Sequence, residues 1–210
     1  MSYKTEQEEF WLGKFGNDYK QRNQGVRRLG SRLNFFSNAL KSTNGIKSCI
    51  EFGANIGLNL EALNLLYPNH DLYGIEINES ATQELAKVIP SSNIFHTSIL
   101  DFNITQEWDL VLIKGVLIHI NPNVLTEVYA KLTQATTKYI LIAEYYNPTP
   151  VSIPYRGHSN RLFKRDFTGD ILDKYPEFKL IDYGFVYHKD PNFPLDDVNW
   201  FLLEKTTYFS

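Results

Sequence analysis

The chain has almost no sulfur. One cysteine, Cys49, and one methionine, Met1, stand among 210 residues. That excludes a disulfide framework and any multi-cysteine metal site. Positive charge is not in excess either: 21 Lys and Arg face 24 Asp and Glu, a net charge of −3. A broad nucleic-acid-binding surface is therefore not expected. Apolar runs are short. The longest, such as Tyr139 to Ala143, fall far below the ~20 residues that a bilayer crossing needs. The opening MSYKTEQEEF has no basic start followed by an apolar stretch, so no secretory signal is expected and the location is read as cytoplasmic. Repeats, low-complexity tracts and linkers are also missing. What is present is 43% apolar and 14% aromatic residues, enough for one well-buried core.

The order of elements follows from hydrophobic spacing. Residues 5–42 read as two helical pieces, Glu6 to Lys14 and Gly25 to Lys41, stopped by Thr43-Asn44-Gly45. The second piece sets Val26, Leu29, Leu33, Phe36 and Leu40 at three- and four-residue steps, the helical period. An alternation follows. Strands are expected at Ser48–Phe52, His70–Ile75, Asn93–His96, Trp108–Ile113 and Lys138–Glu144; helices at Leu58–Leu66, Glu79–Val88 and Asn123–Gln134. Asn78 is the expected cap of the helix at Glu79. Residues 145–165, with three prolines, read as a long loop, and Asp166–Lys174 as a short helix. Phe178–Tyr187 and Val198–Thr206 are strands with no room for a crossover helix between them, so they pair antiparallel. The fold class is α/β: a Rossmann-like, doubly wound sheet of seven strands, mostly parallel with an antiparallel C-terminal hairpin, plus N-terminal helices. The chain divides into an N-terminal helical lid (1–45), a nucleotide-binding core (46–144) and a substrate loop with the terminal hairpin (145–210), all one domain.

Glu51-Phe52-Gly53-Ala54-Asn55-Ile56-Gly57 stands where the first strand hands over to a helix. Glycines there permit a tight turn and close approach of a ligand to free helix N–H groups. Asn55 occupies a place often held by glycine, and Asn tolerates positive φ. Glu76 follows the last glycine by 19 residues, where a carboxylate takes both ribose hydroxyls of a nucleoside. A dinucleotide pyrophosphate disfavours an acid at the start of such a turn. Glu51 suits instead the ammonium and sulfonium of S-adenosylmethionine. A short-chain dehydrogenase would also need a helical Tyr-x-x-x-Lys. The one match, Tyr175 to Lys179, contains Pro176 and runs into a strand.

Other positions extend this reading. Ser98 and Ile99 follow the third strand, near the adenine edge, and Ile77 flanks Glu76. Lys114 and Gly115 open the segment after the fourth strand, beneath the methionine end. Lys114 either meets an anionic substrate or reaches solvent. Tyr19 and Arg22 are three apart, share a helix face and could clamp the donor carboxylate. No metal is expected.

Residues 155–166 hold Arg156, Arg161, Lys164 and Arg165 against Asp166 alone, a local excess of +3. Arginine forks suit a carboxylate or phosphate. Tyr145, Tyr146 and Asn147, with Tyr155, read as an acceptor wall at the end of the fifth strand. Asn147-Pro148 follows the fifth strand, not the fourth, so the base-methylating motif is not matched. Methyl transfer mainly requires alignment of acceptor, methyl and sulfur. An oxygen or nitrogen acceptor also needs a base, for which His119, Glu144 and His158 are the candidates. Cys49, inside a strand, reads as an inert buried thiol.

On these residues the chain resembles the class I S-adenosylmethionine-dependent methyltransferases. More narrowly it resembles the pseudaminic acid biosynthesis-associated methylase family. The marks are EFWLGKFGNDYKQRN (Glu9 to Asn23), IEFGANIGLNL, LIKGVLIHINP, EYYNPTPVSIPYRGH, LFKRDF and DYGFVYHKDPNFPLDD, spread from about Thr5 to Lys205. The resemblance implies S-adenosylmethionine as cofactor and a small sugar-like anionic acceptor, a sugar acid or nucleotide sugar. It leaves open the methylated atom and the oligomeric state. A non-catalytic binder of the same cofactor, or a methyltransferase for another small metabolite, is the competing reading.

Overall fold

The structure is a computed structural model that describes residues 4–13, 26–155 and 158–206, with the side chains of 26–28 and 158–160 outside that description. Its centre is a seven-stranded sheet in the order β3-β2-β1-β4-β5-β9-β8. The strands are β1 (Ser48–Phe52), β2 (Asp71–Glu76), β3 (Ile94–His96), β4 (Trp108–Lys114), β5 (Thr136–Glu144), β8 (Phe178–Val186) and β9 (Val198–Lys205). The first five run parallel. β9 pairs antiparallel with both β5 and β8, as the missing crossover requires.

Six α-helices accompany the sheet among the described residues: α1 (Glu6–Leu12), α2 (Val26–Ala39), α3 (Leu58–Leu66), α4 (Glu79–Leu85), α5 (Leu125–Gln134) and α6 (Phe167–Lys174). The Asn78 side chain caps α4 by accepting from Ala81 N at 3.0 Å. α4 stops at Leu85, three residues short of the expected end, where Ala86 to Val88 turn off. Alternation along the buried strands sorts the core into two layers. Phe52, Trp108, Val111, Ile113 and Ile142 face α5 and α6. Cys49, Leu110, Leu112, Leu141 and Trp200 face α2, α3 and α4. Cys49 is 1% exposed, and burial pushes its thiol pKa up.

One expectation is corrected. Residues 145–165 are not a continuous loop: Val151–Tyr155 (β6) and His158–Lys164 (β7) form an antiparallel hairpin outside the main sheet. Pro154 sits at the irregularity between the Ile153 and Tyr155 pairings, where proline costs no ladder bond. Leu162 is buried and Ile153 and Tyr155 half-buried. β7 packs on a turn of 3-10 helix, Leu117–His119, that follows β4.

Strand order reverses between β1 and β4. In open α/β sheets a ligand crevice lies at that switch point, outside the carboxyl ends of the strands.

Candidate active site

The crevice at the switch point is a cavity of about 240 Å³. On one side is the turn after β1. Gly53 has φ +80°, Asn55 +51° and Gly57 +82°, so Asn55 does adopt the conformation that its residue type tolerates. A Cβ on Gly53 would stand 2.7 Å from a Val116 methyl; the glycine lets the turns after β1 and β4 approach each other. Gly115 has φ +68° and nothing within 4 Å of where its Cβ would be. Its missing side chain keeps the cavity open beside it.

Glu76 ends β2 and is 8% exposed. Its carboxylate accepts from Asn55 N at 2.8 Å and Asn78 N at 2.7 Å. Burial raises its pKa, and those N–H groups oppose the rise. Ser98 Oγ donates to Glu8 of α1 and accepts from Leu100 N at 3.0 Å. Thr5, Glu8 and Trp11 bring α1 onto the cavity wall.

The charged end lies on the α2 side. Glu51 does not reach the wall. It is 1% exposed and accepts from Asn59 Nδ2 at 2.6 Å. Burial pushes its pKa up to about 8. Arg32 Nε, from α2, donates to Asn59 Oδ1 at 3.3 Å. Lys114 is half-buried on the wall, with its Nζ 5.9 Å from the centre of the Phe35 ring. Asp196, on the β8–β9 connection, closes the same end.

His119 is also on the cavity wall. Its ring lies 4.8 Å from that of Trp11 and 5.1 Å from that of Tyr155, centre to centre. Its Nδ1 is 2.6 Å from the carbonyl oxygen of Arg161. A carbonyl only accepts, so Nδ1 carries the proton and Nε2 keeps its lone pair. Burial holds His119 down to about 4, against that bond; the ring is neutral near pH 7.

The other base candidate that can be placed goes elsewhere. Glu144, 3% exposed, turns under the loop after β4 and accepts from Val116 N and Leu117 N, each at 2.8 Å. Burial pushes it up to about 7, against three backbone N–H groups. It anchors the loop that carries His119 and is not on the cavity wall. His158 pairs through its backbone with Tyr155; its side chain lies outside the described residues.

Of the expected cofactor residues, the structure brings Gly53, Ala54, Asn55, Glu76, Ile77, Ser98, Ile99, Lys114 and Gly115 to one wall. Gly57 instead caps α3 with left-handed backbone. Tyr19 and Arg22 lie outside the described residues. Of the acceptor set, Tyr145 and Tyr155 line the cavity. Tyr146 is 39% exposed and lies 6.1 Å from the Phe201 ring. Asn147 Nδ2 donates to Thr149 O at 2.5 Å within its own loop.

The basic segment is dispersed. Arg161 pairs with Glu6 at 2.9 Å, Arg165 with Asp170 at 2.8 Å, and Lys164 covers the Tyr145 ring at 5.1 Å. Arg156 lies outside the described residues. The three of these basic side chains that can be placed do not converge: each is held at a different element. Arg32, Asn59, Glu8 and Asp196 are among the wall residues that sequence reasoning did not assign to the site. They come from separate stretches of the chain and meet through tertiary packing. Among the described residues no group of three His, Cys, Asp or Glu could hold a metal, and no helix is long and apolar enough to cross a membrane.

The fold is that of class I S-adenosylmethionine-dependent methyltransferases. No family model matches the chain, and no curated protein matches it in sequence. Solved structures do match in fold. Magnesium protoporphyrin IX methyltransferase (ChlM) from Synechocystis PCC 6803 with bound SAM superposes with a TM-score of 0.65 at 15% identity, covering 98% of this chain and 100% of that one. The plantazolicin methyltransferase BpumL, in complex with a pentazolic desmethylPZN analogue and SAH, gives 0.66 at 15% identity and 95% of each chain. A SAM-dependent methyltransferase of Leishmania major gives 0.69 at 15% identity, covering 94% and 81%.

Proposed function

We propose that this protein is an S-adenosylmethionine-dependent methyltransferase whose acceptor is a small anionic, sugar-like molecule, a sugar acid or a nucleotide sugar. The observation that carries the reading is one cavity at the switch point, walled by the glycine turn after β1, the buried Glu76 and the ring of His119. The residues fit the donor. Glu76 is at a strand end to accept from ribose hydroxyls. Gly115 leaves room where a side chain would intrude. Ser98 and Ile99 flank the adenine edge.

When bound, the donor supplies an electrophilic methyl group on a sulfonium. The chain's own residues bind and orient. Glu144 fixes the turn after β4, and the Arg161 carbonyl fixes the tautomer of His119. His119 Nε2 takes the proton from the acceptor hydroxyl or amine. Trp11 and Tyr155, whose rings both pack against the imidazole, exclude water from it. The resemblance to the pseudaminic acid-associated family supports a sugar acid as acceptor. A plantazolicin methyltransferase and a magnesium protoporphyrin IX methyltransferase share this fold, so the fold itself does not select an acceptor.

Calorimetry with S-adenosylmethionine, S-adenosylhomocysteine and NAD tests the donor. Labelled methyl transfer into a pool of sugar acids and nucleotide sugars tests the acceptor. Donor binding without transfer would mark a non-catalytic binder, and NAD binding in place of the methyl donor would overturn the whole reading.

A further inference from the structure

Arg32 and Lys114 are the two basic side chains on the cavity wall among the described residues, whereas the methyl donor brings a single carboxylate. We propose that Lys114 is the seat for the acceptor's own anionic group, a carboxylate or a phosphate, with Tyr145 and Asp196 beside it. This rests on the methyltransferase reading above and adds the place where the acceptor's charge is held.

Lys114 is the last residue of β4, the strand that also delivers Gly115 and His119 to the cavity. Strand alternation turns it to the α2 face, over Phe35. Among the described residues its ammonium makes no hydrogen bond and no ion pair. A half-buried cation without a counter-ion is costly unless a ligand supplies one. Burial and the charge of Arg32 both lower the pKa of Lys114; Asp196, Glu51 and Glu144 pull the other way from a distance.

Arg32 differs. It is bonded to Asn59, which holds Glu51, so it belongs to the network behind the turn after β1, on the donor's side. Of the cations that the sequence offered for the acceptor, the three among the described residues are engaged: Arg161 with Glu6, Arg165 with Asp170, Lys164 over Tyr145. Tyr145 follows β5 beside the cavity, so an acceptor held at Lys114 lies against an aromatic face, a surface suited to a sugar ring.

The test saturates the protein with S-adenosylhomocysteine and measures binding of two probes, inorganic phosphate and N-acetylneuraminate, to wild type, Lys114→Gln and Lys114→Arg. The expected result is that Lys114→Gln loses about tenfold or more in affinity for at least one probe, while Lys114→Arg retains most of it. Affinity for S-adenosylhomocysteine stays within about twofold in both, which also reports an intact fold. If Lys114→Gln does not fold, Lys114→Met keeps the apolar stem over Phe35 and takes its place. Equal probe binding in wild type and variant, or none in either, overturns the proposal. So does a tenfold loss of S-adenosylhomocysteine affinity with 5′-methylthioadenosine, which has no carboxylate, bound as before; Lys114 would then hold the donor. A wild-type protein that does not bind S-adenosylhomocysteine strikes the methyltransferase reading itself, and this inference with it.

Discussion

The two ends of the cavity are built in opposite ways. The donor end comes from short chain segments: one turn, Gly53 to Gly57, and one strand end, Glu76, joined by a bond from Asn55 N. The proposed acceptor end is gathered from far apart in the chain: Trp11 from α1, Lys114 at the end of β4, His119 after it, Tyr145 after β5, Tyr155 from β6 and Asp196 from the β8–β9 connection. A locally encoded site can persist while the rest of a sequence drifts. A gathered site changes whenever any contributor moves.

Substitutions should separate the two ends. The largest effect is expected at the acceptor end. His119→Ala should lower kcat about 10²- to 10⁴-fold, with donor affinity unchanged by calorimetry. In wild type, kcat should hold as pH falls below 6.5 and decline only towards 4, because the imidazole is neutral down to about 4. An inflection near 6.5 would remove His119 from the role. Glu76→Ala should do the reverse, weakening S-adenosylmethionine binding by about 1.5–3 kcal/mol, the range for hydrogen bonds to charged groups. Equal affinity in an intact fold would unseat the ribose assignment.

Next comes Gly53→Ala, on the order of 2 kcal/mol of stability by denaturant melt. It combines a residue at φ +80° with a 2.7 Å approach to Val116. A similar size is expected from pH. Glu51 has its folded pKa raised to about 8, so its contribution is full below the unfolded value and is lost as pH rises through 8. Between pH 6.5 and 8 the donor-free protein should lose about 2 kcal/mol from this group, and Glu51→Gln should flatten the decline. The smallest effect should come from Glu6→Gln. It breaks an ion pair with Arg161 that is exposed on the Glu6 side, and a melting temperature should not register it.

The legibility of the sequence follows the same division. The parallel strands announce themselves through continuous apolar runs, and the antiparallel ending through a connection too short for a crossover. The turn at Gly53 and the acid at Glu76 sit at a readable spacing. The β6–β7 hairpin escaped notice because prolines at 148, 150 and 154 outweighed the sparse apolar positions Ile153, Tyr155 and Leu162. The three cations of the basic run at 155–166 that can be placed part from one another for a physical reason. Proximity in sequence says nothing about convergence when successive strand side chains point to opposite faces. Arg32 and Asp196 were not legible as wall residues because only tertiary packing brings a helix and the β8–β9 connection to the cavity.

One contact bears on how such a protein can change. The ring of His119 is steadied by the main-chain carbonyl of Arg161, not by that residue's side chain. Every amino acid brings the same carbonyl. Position 161 can therefore mutate through many residue types, trying new partners for an incoming molecule, while the tautomer of the neighbouring imidazole is preserved. Robustness in one function and freedom in another are lodged in a single residue, divided between its backbone and its side chain.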